Sequence, residues 1–254
     1  MKKIIICDNG RLKEAAALCK KYAVGVNADS FSDPEYLAAH PGAVEAHLEN
    51  YAGIEICAMH GPYRDLCLGS RDRLIKAATM SRFEFAYEIS KKLCCENIIL
   101  HHGYIPATSY PPSWVKRAKA FFDEFLQDKN FETRLYIENQ LEHTPDLISE
   151  VISAVDDSRL RICLDVGHAN CNSKTPVTEW IKQLNGQIGF VHLHSNNGCE
   201  DQHLGFSKGN MNMLEICGAL EKYAPNAIWG LEANTMDDVE ESLGWLITNN
   251  FFAC

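Results

Sequence analysis

Apolar and polar positions along this chain fall into a repeating block: a short apolar run, a polar turn, then a longer segment with apolar residues at helical spacing. The first block is an apolar strand from Ile4 to Cys7, the turn Asp8-Asn9-Gly10, and a helix from Leu12 to Tyr22. The same pattern predicts strands from Ala23 to Val26, Ile54 to Met59, Asn97 to Leu100 and Arg134 to Ile137. It continues with Arg161 to Leu164, Ile188 to Val191 and Ala227 to Leu231. Helices fall between them. Asp33-Pro34 offers a cap and a preset first turn, and Ser70 or Asp72 opens a long amphipathic helix through Leu93. Pro111 and Pro112 precede a helix whose Phe121, Phe122 and Phe125 share a core face. Thr144-Pro145, Pro176 to Leu184 and Asp237 to Thr248 supply the later helices.

Eight strands alternating with helices predict an α/β fold closed as a (β/α)8 TIM barrel, a single domain over 1–254. An open doubly wound sheet is the rival, but no early G-x-G-x-x-G turn supports it. Composition adds three constraints. Hydrophobic residues make up 46% of the chain, enough for a barrel core, and no apolar run is long enough to span a membrane. The start, MKKIIICDNG, reads as a strand because its apolar run meets Asp8 too soon for a signal peptide. With 24 basic and 34 acidic side chains the net charge is -10, which argues against broad nucleic-acid binding. The 11 cysteines lack paired C-x-x-C spacing and several lie in apolar strands (Cys7, Cys57, Cys163), so a reduced, cytoplasmic protein is expected.

The candidate chemistry collects where the strands end. These ends carry His60, His101, Glu138, Asp165 with His168, His192 and Glu232. The stretch VHLHSNNGCEDQHLGFSKG adds His194, Asp201 and His203. Alternation points His192 and His194 to one face of their strand. In a (β/α)8 barrel, active sites lie at the carboxyl ends of the strands. Carboxylates packed together there repel one another unless protons or a cation intervene, and imidazole with carboxylate suits zinc or manganese. A divalent ion is therefore expected, zinc or manganese. Cys199 lies in the same loop and reads as a bystander.

Taken in order, the segments MHGPY, ILHHGY, YIEN, CLDVGHAN, VHLHSNNG, DQHLGFSKG and LEAN resemble the xylose isomerase-like TIM-barrel superfamily. That superfamily includes sugar isomerases and epimerases and endonuclease IV-type enzymes. The isomerase branch implies a metal held by Glu138, Asp165, His192 and Glu232, with His168 beside it. The endonuclease branch implies up to three zinc ions and adds His60, His101, Asp201 and His203. The chain departs from the pattern at Ser195, where relatives often carry Asp, and at His102, which doubles a single histidine. Position relative to Gly103 favours His101 as the ligand. The resemblance places Tyr63 where the endonuclease branch has an aromatic near DNA.

The leading expectation is a metal-dependent isomerase or epimerase for a sugar or sugar phosphate, with Glu138 and Glu232 as proton-transfer groups and His168 beside them. Lys208 is a candidate phosphate contact, and Tyr63, Tyr104 and His194 are candidate substrate contacts; Trp114 is a further aromatic that could stack on a sugar. Arg71 and Arg73 read as a solvated helix start. The alternatives are a multinuclear zinc phosphodiesterase of AP-endonuclease type and a non-catalytic sugar-binding barrel. Sparse basic residues near the mouth make nucleic acid an unfavoured partner.

Overall fold

The computed structural model describes residues 4–130 and 132–253. Its eight strands are β1 (Ile4–Cys7), β2 (Gly25–Ala28), β3 (Ile56–His60), β4 (Asn97–His101), β5 (Arg134–Glu138), β6 (Leu160–Asp165), β7 (Ile188–Leu193) and β8 (Ile228–Leu231). Each pairs in parallel with its sequence neighbour, and β1 pairs with β8 to close the barrel. The chain therefore folds as the (β/α)8 TIM barrel that the strand–helix repeat predicts.

The helices are α1 (Leu12–Tyr22), α2 (Pro34–Ala39), α3 (Ala43–Tyr51), α4 (Arg73–Lys92), α5 (Pro111–Leu126), α6 (Asp146–Val155), α7 (Val166–Asn172), α8 (Val177–Leu184), α9 (Met213–Tyr223) and α10 (Met236–Thr248). They cover the barrel with an apolar layer that includes Phe83, Phe121, Phe122 and Phe125. Asp33 caps α2 by accepting from the amides of Glu35 and Tyr36, and Asp72, rather than Ser70, caps α4.

Four details depart from the sequence expectation. The second strand starts at Gly25, because Ala23 adopts a left-handed conformation (φ 53°) that ends α1. Pro111 and Pro112 lie inside the first turn of α5, where a missing N–H costs nothing. The helices α3, α7 and α9 lie outside the set that the sequence pattern predicts. Four strands also run one residue further than their apolar cores, so that His60, His101, Glu138 and Asp165 are strand residues.

That extra residue follows from period-two alternation. A cluster within the barrel includes Ile5, Ala58, Ile99, Tyr136, Cys163 and Phe190. Two residues further along each strand, on the same inward face, stand Cys7, His60, His101, Glu138, Asp165 and His192. The barrel interior is thus apolar below and titratable above. Register aligns the upper layer across strands: His101 lies opposite Glu138, and Asp165 opposite His192. A shift between Ile162 and Cys163 in the β6–β7 pairing brings the second alignment about.

Candidate metal centre

Glu138 is the hub of the upper layer. It is 2% exposed, and its Oε2 lies 3.1 Å from His101 Nε2, 3.2 Å from His192 Nδ1 and 3.3 Å from His60 Nε2. Its Oε1 lies 3.3 Å from His168 Nδ1. His192 Nδ1 is also 3.2 Å from Glu232 Oε2, so this ring stands between the two glutamates. A second group forms beside the first: Asp201 Oδ2 lies 2.9 Å from His203 Nε2 and 3.2 Å from His168 Nε2. His194 Nε2 is 3.2 Å from both oxygens of Asp165, and its ring stacks on His203 at 3.9 Å.

Local structure explains why these groups meet. The Asp165 side chain caps α7 by accepting from the His168 amide, so strand end and helix start are one unit. Asn139 clamps Asp165 from the neighbouring strand, its Oδ1 accepting from the Asp165 N–H (2.9 Å) and its Nδ2 donating to the Asp165 carbonyl (3.0 Å). Gly167 leaves room for His194: a Cβ there would sit 2.0 Å from the imidazole. The Asp201-Gln202-His203 turn is folded back by a bridge between Ser195 and Leu204, with His203 at φ 47°.

Three imidazoles have a defined proton position. Nδ1 of His60 lies 2.8 Å from the Gly61 carbonyl, Nδ1 of His168 2.8 Å from the Asn139 carbonyl, and Nδ1 of His203 2.8 Å from the Glu232 carbonyl. A carbonyl only accepts, so each Nδ1 donates and each neutral ring turns an Nε2 lone pair toward the cluster. Backbone anchoring of this kind orients histidines that bind metals. For His168 and His203 those lone pairs face a carboxylate oxygen of Asp201, an arrangement that requires a proton or a cation between them. Moreover, both ring nitrogens of His192 and Glu232 Oε2 are buried without a well-formed hydrogen bond among the described residues. The donor set therefore fits a divalent cation, with groups such as His60–His101–Glu138 and His168–Asp201–His203 close enough to share one.

The electrostatics carry the same demand. Burial would raise the Glu138 carboxyl, but the imidazoles of His101 and His192 outweigh it and hold it well below the usual range. Burial likewise opposes ionisation of Asp165, yet His168 and His194 bring it down to about 2. Hydrogen bonds from His168 and His203 overcome burial to depress Asp201. Conversely His203, despite burial, is pushed up to about 10 by Asp201 and Glu232, and His168 rises well above its ordinary value through Asp165 and Asp201. Without a metal, protons on imidazole do the work of the cation.

The cluster lines a cavity of about 310 Å³ whose walls include His60, Tyr63, His101, Glu138, His168, Asp201, His203 and Glu232. Every residue in the expected ligand ring thus lies in this cavity or directly behind it. His101 rather than His102 joins the ring, since His102 is buried with its Nε2 donating to Glu142 and its Nδ1 accepting from the Tyr104 amide. The candidate substrate contacts divide. Tyr63 lines the cavity, its ring 4.7 Å from that of His101. His194 is fully buried behind Asp165, with Nε2 at both carboxylate oxygens, and does not line the cavity. Tyr104 packs against Trp114 and His102 in a separate buried cluster, and Trp114 is 1% exposed, so neither ring is brought to the cavity. The Lys208 ammonium is engaged 2.5 Å from Asp238. Cys199 is exposed, its amide held in a turn by Asn197.

Sequence reasoning missed Asn9, Asp29 and Ser32, which form the opposite side of the cavity. Burial and the neighbouring Asp8 raise the Asp29 carboxyl to about 8. Asp8 lies beneath it, fully buried, and accepts from the Tyr51 hydroxyl. The available signal was that Asp8 and Asp29 follow adjacent parallel strands at the same level as the ring.

A family model described as xylose isomerase-like TIM barrel matches residues 22–249, and the chain belongs to that family. An uncharacterised protein of Methanocaldococcus jannaschii is 26% identical over 194 residues, covering 72% of this chain and 66% of its own, just under two thirds of that relative. Among solved structures, a D-tagatose 3-epimerase-like protein superposes with a TM-score of 0.80 at 22% identity, over 99% of this chain and 97% of its own. A Thermus thermophilus protein from a crystal soaked in zinc chloride gives a TM-score of 0.77 at 21% identity, over 99% of both chains. No helix among the described residues is long and apolar enough to cross a membrane.

Proposed function

We propose that this protein is a divalent-metal-dependent isomerase or epimerase of sugars, in which Glu138 and Glu232 exchange a proton with a substrate carbon. The carrying observation is the pair of glutamates converging on His192 Nδ1, each with an oxygen 3.2 Å away, at the wall of a cavity sized for one sugar ring. About 310 Å³ lies at the low end of small-ligand sites. The epimerase-like structural neighbour and the zinc-soaked one agree with this reading. Glu138, Asp165, His192 and Glu232 would hold the ion, with His168 beside it. A bound divalent ion supplies polarisation of the carbonyl and hydroxyl oxygens, which acidifies the carbon between them. One glutamate removes the proton from that carbon and the other returns one. Tyr63 and His101 border the space in which the ring must sit, and His194 with Asn139 keeps Asp165 in place.

The test is solvent hydrogen exchange. Incubated in heavy water with ketoses, aldoses and their phosphates, the metal-loaded protein should place deuterium at the carbon next to the carbonyl of its substrate. Glu138→Gln and Glu232→Gln should each reduce labelling by at least about a thousand-fold, with metal content measured in parallel to separate base from ligand. Turnover without label would exclude this proton transfer, and label surviving both variants would show that other residues perform it.

One observation favours a second reading. The complete His168–Asp201–His203 group gives capacity for more than one ion, as the zinc phosphodiesterases of the resembling branch require. Metal-dependent incision of abasic duplex DNA, abolished by His203→Ala, would replace the isomerase reading; we expect it to be absent or weak, given the net charge of -10.

A further inference from the structure

The cavity does not end at the metal centre. Asn9, Asp29, Ser32 and Tyr63 also line a larger groove of about 1090 Å³, whose walls come from the loops after β1, β2 and β3 and from α1, α2 and α3. We propose that this groove is a second subsite for a neutral sugar unit linked to the one held at the metal, so that the substrate is a glycoside or disaccharide and not a free monosaccharide. The inference deepens, and rests on, the reading of the centre as a sugar site.

Size is the first argument. The inner cavity is at the lower limit for a small ligand, whereas the groove matches the upper end of such sites, so the two together far exceed one ring. Charge is the second. Of the basic residues in the groove lining, Arg11, Lys13 and Arg64, two are offset by Glu14 and Asp33. Arg64 is already tied to Asp33 at 3.2 Å. A phosphate or nucleic-acid backbone would meet only about one uncompensated positive charge there, too few for a strong grip. Lys208, the candidate phosphate contact, is already paired with Asp238.

Chemistry is the third argument. Tyr63 borders both spaces, and Tyr36, 45% exposed, stands in the groove wall with its ring stacked on His40 at 4.2 Å. A sugar ring presents C–H bonds on its faces and hydroxyls around its edge. Aromatic faces suit the first, and Ser30, Ser32, Asn50 and Asn234 suit the second. The passage between the spaces is also braced: the Asn9 amide donates to Asp29 Oδ2 (2.9 Å), and Asn9 Nδ2 donates to the Ala233 carbonyl (2.9 Å). That bracing fixes residues shared by the two spaces, as a preformed site requires.

Binding tests this directly on the metal-loaded full chain, independently of turnover. Calorimetry and saturation-transfer NMR would compare a panel of free hexoses and pentoses with disaccharides and phenyl glycosides built from them, and with their phosphates. At least one linked sugar should bind about ten-fold tighter than its own monosaccharide. Tyr36→Ala should bring that affinity down to the monosaccharide value, and Tyr36→Phe, which keeps the ring, should restore most of it. Equal affinity for single and linked sugars, or a preference untouched by Tyr36→Ala, would overturn the proposal. So would tightest binding by a sugar phosphate, or displacement by an oligonucleotide instead of a disaccharide. If linked sugars bind with this Tyr36 dependence but no deuterium enters them, the subsite stands and the proton-transfer reading fails.

Discussion

The two sides of the barrel mouth are built from the same strand–helix unit and do different work. On the β4–β7 side the functional groups belong to the strands: His101, Glu138, Asp165 and His192 are each 5% exposed or less and aligned by strand register. On the β1–β3 side, His60 at the end of β3 apart, the polar groups that shape the cavity come after the strands. Asn9, Asp29, Ser32 and Tyr63 all stand beyond their strand ends, and the β2–β3 pairing shifts register between Val26 and Asn27. A cation bound by several atoms tolerates little positional error, and of the proposed ligands Glu138, Asp165 and His192 ride on strands, with Glu232 next to the end of β8. Recognition of a substrate's shape tolerates loops and can change with them. The contrast predicts that damage on the first side is read in metal affinity, and on the second in fold stability or substrate choice.

The sharpest way to break this division is Asn139→Ala. Asn139 is 1% exposed and satisfies both backbone groups of Asp165, while its own carbonyl fixes the His168 ring. Removing the side chain leaves the buried Asp165 N–H without its partner, at about 1–3 kcal/mol. It also loosens a group behind the ligands, which typically lowers metal affinity about 10- to 100-fold. Metal titration and thermal melting of the variant should show both losses. Unchanged affinity would mean that the strand-borne side does not depend on this clamp.

An intermediate effect concerns protons. With His203 pushed up to about 10 and His168 also raised, both rings are charged near neutrality in the metal-free protein. An ion that takes their Nε2 atoms must displace those protons, so affinity should climb with pH up to about 10. Calorimetry in buffers of different ionisation heat should count the protons released; none released would exclude His168 and His203 as ligands. Stability of the metal-free protein follows the opposite course. The contribution from His203 is complete below its unfolded value of about 6.5 and is lost as pH rises toward about 10. Asp165, brought down to about 2, contributes above its unfolded value of about 3.9, and that contribution is lost as pH falls toward 2. The metal-free melting temperature should therefore drop on the alkaline side while the metal-loaded protein gains.

How far the sequence carried the structure follows the same division. Strand-borne features were legible because an apolar run with a carboxylate or imidazole at its end is a local signal. Period-two spacing from Ile99 to His101 even separates that ring from His102. Residues whose role depends on a partner distant in sequence were not legible. Lys208 reads as a phosphate contact until Asp238 is seen beside it, and Tyr104 as a sugar platform until Trp114 covers it. The helix α9 does carry a local signal, which the strand–helix reading passes over: Asn212 caps it, and Met213, Ile216, Cys217 and Leu220 share its buried face. The helix α7 carries no comparable pattern, since its cap is a strand residue and its length is one short turn pair.

The smallest effect should come from Tyr51→Phe, on the β1–β3 side. Tyr51 is 3% exposed; its hydroxyl donates to Asp8 Oδ2 and lies 3.0 Å from Ser30 Oγ. Asp8 keeps the Gly10 amide on its other oxygen (3.0 Å), so the variant removes the bonds to Asp8 and Ser30 and leaves one buried carboxylate oxygen short of a donor. Burial already raises the Asp8 carboxyl, and the tyrosine opposes that rise. Without the hydroxyl Asp8 is driven further toward its protonated form, which limits the penalty. The cost should be about 1–3 kcal/mol, or a melting temperature lower by roughly 2–4 °C per kcal/mol for a chain of this size. Metal affinity should stay within about two-fold of the parent, because no cluster ligand depends on this bond. A loss of affinity comparable with that of Asn139→Ala would show that both sides of the mouth hold the metal, and the division between ligand-bearing strands and substrate-bearing loops would fall.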